Sequence, residues 1–239
     1  MFRCLLLALL GCPTALAQPL PPLVTDRPDF TESGVVVPLG HVQVEAGVSL
    51  VGSGPVDAFN GPELLVRWAP LRRVELRFGG PDYLDVEGAT GFGDPSFGVK
   101  VQLGPVAGWD VGVIAAASLP LGDDAFSSGT VDPELILAAA HSFGERYSLG
   151  GQVAVARAVD FEEWVWSSTY VLGAELNARW GLFQELAVVV PEARLAEVLH
   201  HSGATYALTP NVQLDAHVGI GLTDAAPDTI LGLGISVRR

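Results

Sequence analysis

Residues 42–50 read VQVEAGVSL, and this strict apolar–polar alternation constrains the fold more than any other feature of the chain. Val42, Val44, Ala46, Val48 and Leu50 fall on one face; Gln43, Glu45, Gly47 and Ser49 take the other. That period of two is the pattern of a strand. It recurs at 96–103 (SFGVKVQL), 109–118, 166–179, 212–220 and 230–237 (ILGLGISV), with weaker versions near 63–69, 73–79, 133–142, 147–156, 183–190 and 202–209. Together these stretches predict about twelve strands, each close to the roughly 9–11 residues that a tilted membrane strand needs.

Alternation alone does not say whether the apolar face meets a core or lipid, and a secreted lipocalin-like barrel or a sandwich has the same period. Composition separates them. Charged residues are 17% of the chain, against roughly 25% in ordinary soluble domains. Lys100 is the single lysine, the polar faces are rich in glycine, and mean hydropathy is +0.38. Beyond the first residues no apolar run reaches the roughly 18 residues of a spanning helix. In lipid every backbone polar group must be paired within the structure, which leaves a closed barrel. The fold class expected is therefore all-β: a transmembrane antiparallel up-and-down β-barrel with a short N-terminal segment.

Connection lengths agree. Tight turns are expected at 69–72, 104–108, 144–145, 180–181 and 209–211, and longer loops near 52–62, 80–94, 120–132 and 190–201, with shorter partners near 157–163 and 223–228. Long loops on one side and short turns on the other are the habit of outer-membrane barrels. Trp68, Trp109, Trp164, Trp166 and Trp180 all fall at expected strand ends, where interfacial girdles place them.

Residues 1–17 have the form of a signal peptide: Arg3, an apolar stretch from Cys4 to Gly11, and an Ala15-Leu16-Ala17 cleavage site. Leu9-Leu10-Gly11-Cys12 is an alternative, a lipoprotein box in which Cys12 is lipidated. Both cysteines, Cys4 and Cys12, lie in this leader, so a mature chain has neither thiol chemistry nor Cys-ligated zinc. Removing Arg3, the leader's one charged residue, takes the net charge from −14 to −15, which excludes nucleic acid as a partner.

Three stretches invite chemistry. GFGDPSFG at 91–98 echoes a phosphate loop, but a strand follows where a helix N-terminus is required. His200 and Ser202 share one strand face, as in outer-membrane lipid hydrolases. Gly203 follows the serine directly and no residue orienting the histidine is evident, so the pair is taken as a polar loop end. Asp82/Asp85/Glu87 and Asp123-Asp124 match no calcium-loop spacing. No catalytic residue, metal or cofactor is assigned. The inward face carries Glu45, Glu75, Arg77, Lys100, Asp110, Glu175, Arg179, Glu185, Asp215 and His217. Ionisable groups at bilayer depth need a wet lumen or one another, so these are the candidate lining of a solute path.

TDRPDFTES at 25–33 followed by VPLGHVQVEAG resembles the opening of the MetA-pathway of phenol degradation family. GFGDPSFGVKVQL is similar to that family's G-x-G-D strand, and TPNVQLDAHVGIGLTDAAPD to its closing hairpin. The resemblance runs over nearly the whole mature chain and implies an outer-membrane barrel passing small, often aromatic or hydrophobic, compounds. One departure is the end, Ser236-Val237-Arg238-Arg239, where such barrels carry a terminal aromatic read by the assembly machinery. That leaves the completeness of the last strand in question.

The organisation expected is a signal peptide at 1–17, a periplasmic plug-like segment at 18–37 and a barrel at 38–239. The expected setting is the cell outer membrane of a Gram-negative-type bacterium. Its partners there are outer-membrane lipids, a small-molecule solute and the barrel-assembly machinery. The expected role is passive passage; a lipid hydrolase using His200/Ser202 and a structural or adhesive protein are the alternatives. Within the plug, Asp26, Arg27, Asp29 and Glu32 are the candidate fastenings, with Arg27 bracketed by the two aspartates and Glu45 and Glu185 as its expected partners.

Overall fold

The computed structural model describes residues 20–54, 56–157 and 163–239; the signal-peptide and Cys12 assignments lie outside them. Strands follow one another as β1 (Val42–Ser53), β2 (Val56–Gly61), β3 (Leu65–Leu71), β4 (Val74–Gly79), β5 (Tyr83–Val86), β6 (Ala89–Phe92), β7 (Ser96–Val106), β8 (Trp109–Ser118), β9 (Asp132–Phe143), β10 (Tyr147–Arg157), β11 (Trp164–Glu175), β12 (Trp180–Pro191), β13 (Glu197–Thr209), β14 (Val212–Gly221) and β15 (Thr229–Arg238). Each pairs antiparallel with its neighbours, and β15 returns to β1 in register from Gln43↔Arg238 to Gly52↔Thr229. The sheet has therefore closed.

Twelve wall strands result from fifteen segments because three of them are broken. β1 pairs with β3 at its lower end and with β2 at its upper end, so β2 and β3 form one wall strand. In the same way β4 continues into β5, and β6 into β7. The breaks fall at 62–64, 80–82 and 93–95, each containing proline, which cannot donate to a ladder. Substitute bonds repair them: Gly47 N to Pro62 O (2.6 Å), Gly80 N to Leu64 O (2.8 Å) and Gly93 N to Asp82 O (2.9 Å). The stretches 52–62 and 80–94, expected as loops, thus carry β2, β5 and β6. Their apolar periods are too short to read in isolation.

Polar residues point inward. Gln43, Glu45, Arg67, Glu75, Arg77 and Lys100 are buried, while Val44, Val48, Leu50, Leu76, Val99 and Val101 are exposed. A soluble barrel has the reverse arrangement, and only lipid stabilises this one. Trp164, Trp166 and Trp180 lie exposed at strand ends, and Trp68 lies exposed opposite Val42, the first residue of β1. The last strand is complete: β15 bonds to both neighbours over most of its length. Arg238 is buried and donates to Asn211 Oδ1 and to the Pro21 and Pro22 carbonyls.

Candidate functional site

The lumen is occupied by the chain's own N-terminal segment. Residues 20–41 have no regular structure, and their backbone groups therefore need partners from the wall. Inward-facing side chains supply them. Glu45 accepts from Asp26 N (2.9 Å) and Arg27 N (3.0 Å); Glu185 accepts from Phe30 N (2.9 Å). Gln152 accepts from Glu32 N (2.7 Å) and donates to Phe30 O (3.0 Å), and Glu75 accepts from Val37 N (2.9 Å). Near the short-turn end, Gln43 and Arg67 donate to Val24 O.

The ionic centre is Asp26. Its carboxylate meets Arg77 (2.6 Å), Lys100 (2.8 Å) and Arg67 (3.2 Å) at once. Those cations also hold Glu45 and Glu75 through Arg67 (2.9 Å to each), and Glu32 through Arg77 (2.8 Å). Strands β1, β3, β4 and β7 stand side by side in the wall, so their inward positions converge on one point. Four carboxylates face three cations there. Burial first, and the Asp26 charge second, push Glu32 up to about 7 against the pull of Arg77. Asp26 itself is held well below the usual range by Arg67, Lys100 and Arg77, which together outweigh its burial.

Arg27 is fastened differently from expectation. It pairs with Glu63 and Asp215 (3.4 Å) and reaches Leu233 O; only its backbone N–H goes to Glu45. Glycine makes room for it, since a Cβ at Gly47 would lie 2.1 Å from the guanidinium and one at Gly234 2.5 Å from it. Asp29 has no ion pair with Arg27. Burial, reinforced by the Glu185, Asp26 and Glu32 charges, holds its carboxyl well above the usual range.

On the far side, Phe30 stacks on His201 at 4.3 Å between centroids, and Thr31 donates to Glu185 (2.7 Å). His201 is fully buried, with Nδ1 2.9 Å from Glu185 and Nε2 2.8 Å from His217 Nδ1. With Thr169 of β11 bonded to the Thr31 hydroxyl, the whole TDRPDFTES stretch is gripped by β1, β3, β4, β7, β10, β11, β12, β13 and β14, and by the Leu233 carbonyl of β15. Gly34 lies on the β8 backbone, close enough that its Cβ would be 2.3 Å from Asp110 O.

Between this segment and the wall of β8 to β13 lies a cavity of about 400 Å³, lined on the wall side largely by small residues such as Ser142, Ser148, Gly150, Gly173 and Gly181. Leu23, Glu175, Gly181, Thr205 and Gln213 are shared with a second cavity at the short-turn mouth. The sequence-assigned lining therefore divides. Glu45, Glu75, Arg77, Lys100, Glu185 and Asp215 hold the segment; Asp110 and Glu175 face the free cavity. Arg179 lies at the mouth, bonded to Tyr206 Oη (3.1 Å). His217 belongs to the histidine pair.

Sequence reasoning missed Arg67, Glu63, Thr169, Gln152, His201 and Arg238. Arg67 sits in a strand whose alternation is weak, and His201 was passed over for its neighbours. His200 and Ser202 lie mid-strand in β13, on the outer wall and not at a loop end. Ser202 Oγ donates to Gln184 Oε1 (2.9 Å), and among the described residues no hydrogen bond joins it to His200. Asp94 of the GFGDPSFG stretch accepts from Leu121, Gly122 and Ser128 N–H groups, stapling a loop. Among the described residues, no cluster of His, Cys, Asp and Glu has metal-binding geometry.

A family model described as "Putative MetA-pathway of phenol degradation" matches residues 25–238. No curated protein sequence matches the chain. Among solved structures, an outer membrane channel from Pseudomonas putida F1 is 15% identical, with 86% of this chain and 97% of that chain covered and a TM-score of 0.59. The KdgM porin is 9% identical, covering 82% and 98%, with a TM-score of 0.60. The NanC porin is 9% identical with the same coverages and a TM-score of 0.59. At these identities the likeness is one of fold.

Proposed function

The chain belongs to the MetA-pathway of phenol degradation family, and from that premise we propose that it is an outer-membrane conduit for small apolar or aromatic compounds, closed at rest by its own N-terminal segment. The observation that carries this is the segment at 20–37, bound across the lumen by wall side chains, with a free cavity beside it that continues to the short-turn mouth. That mouth is periplasmic by the usual orientation of such barrels. Leu23, Val24, Pro28, Val171 and Phe183 supply the apolar part of the cavity lining and suit a flat hydrophobic solute better than a sugar. Liposomes containing the variant that lacks residues 18–36, and so lacks the closing segment, should take up a phenol-sized aromatic carboxylate, to which lipid itself is a barrier, faster than protein-free liposomes. Equal rates would overturn the conduit.

Glu32 gives the closure a pH dependence. Its carboxyl sits at about 7 in the closed state, against an ordinary 4.5 in water, so closure binds a proton that release gives up. Closure is then fully favoured below 4.5 and weakens as pH rises through 7. Openings in planar bilayers should be more frequent at pH 8.5 than at pH 5.5. Glu32→Gln, permanently neutral, should shrink the difference, and adding Asp29→Asn, which neutralises the other carboxyl of the segment held up by burial, should abolish it. An undiminished pH response in the double variant would assign it elsewhere.

A further inference from the structure

Among the described residues at mid-bilayer depth, the otherwise apolar outer wall carries a polar patch. Outward positions of β1, β4, β7, β8, β14 and β15 within the bilayer band are Val, Leu, Ile, Ala or Phe. On β11, β12 and β13, Ser168, Tyr170, Gln184, His200 and Ser202 point outward instead. Register places them together: Gln184 is opposite Ser202, and Tyr170 and His200 flank Leu186 from either side.

Their depth is mid-membrane. Trp180 and Tyr206 mark the girdle at the short-turn end. Gln184 lies four residues above Trp180 and Leu186 six, a climb of about 10 and about 15 Å for a strand tilted roughly 40°. Polar side chains in contact with hydrocarbon are costly, and lipid tails offer them no partner. Within the patch only the Ser202–Gln184 bond is formed. The Gln184 amide N–H groups, the His200 ring and the Ser168 and Tyr170 hydroxyls have no partner among the described residues.

We propose that this face is an interface between two copies of the chain in the membrane. The patch holds unfilled donors and unfilled acceptors together, so it complements itself across a two-fold axis, the isologous arrangement typical of pairs. The amide of Gln184 on one copy can donate to the His200 ring of the other, and the hydroxyls can exchange bonds. Small outward residues beside it, Ala174, Ala204 and Ala216, let a second wall approach closely, as small residues do at membrane interfaces. The inference is independent of what passes through the lumen.

Ala204→Cys tests it. Both natural cysteines precede the described residues, and the wild type serves as their control. Mild oxidation of outer membranes should shift Ala204→Cys to the mass of a dimer, while Leu76→Cys on β4 across the barrel stays monomeric. Adding Gln184→Leu and His200→Leu should return Ala204→Cys to the control level. Heat-modifiable migration confirms that each variant is folded; if Ala204→Cys is not, Ser202→Cys replaces it. Equal cross-linking at positions 204 and 76, or an adduct of another mass, would overturn the second copy as occupant.

Discussion

Deletion of residues 18–36 should raise single-channel conductance by at least about twofold, since a twelve-stranded barrel is intermediate between side-chain-filled eight-stranded barrels and open porins. The segment contributes no strand to the wall: β1 begins at Val42, and closure is completed by β15. The shortened protein should therefore still fold, insert and show heat-modifiable migration. Of the residues it leaves behind, Glu45, Arg67, Glu75 and Arg77 keep one another, while Lys100 loses both its ion-pair partners, Asp26 and Glu32, and water can enter to solvate it. Unchanged conductance in a folded deletion variant would mean that solutes already bypass the segment.

Arg67→Met should be the most damaging single change in the wall. Arg67 is fully buried and bonds to Glu45, Glu75 and Asp26 at 2.9, 2.9 and 3.2 Å. Removing one member of a buried ionic network leaves the others uncompensated, at a cost of about 3–5 kcal/mol. Thermal unfolding in detergent should register it. The same substitution in the deletion variant should cost much less, because the stranded carboxylates are then hydrated. Equal losses in both backgrounds would show that Arg67 braces the wall alone and has no part in holding the segment.

How much of this was legible in the sequence differs between wall and lumen. Alternation at 42–50, 96–103 and 212–220 assigned strands correctly because a lipid-facing strand must be apolar at every second residue whatever lies beside it. Low charge and a single lysine then chose lipid over a soluble core. The TDRPDFTES stretch could be picked out as a candidate gate because it is charged, proline-bearing and precedes the first strand. Its fastenings could not. Arg27 was expected to reach Glu45 and Glu185, yet it turns to Glu63 and Asp215 through the gap left by Gly47 and Gly234.

Local sequence determined which residues face inward, since side-chain direction follows the period of a strand and nothing more distant. Which inward residues meet was decided only by closure. Shear and register around the ring brought Arg67, Arg77 and Lys100 to one carboxylate at Asp26, and Glu185, His201 and His217 to one line beneath Phe30. The same register gathered Gln184, His200 and Ser202 on the outer wall, where a pair expected at a loop end forms part of a mid-strand patch. Arg77 and Lys100 lie 51 and 74 positions from Asp26, and Glu185 lies 155 from Phe30; no local period encodes such distances.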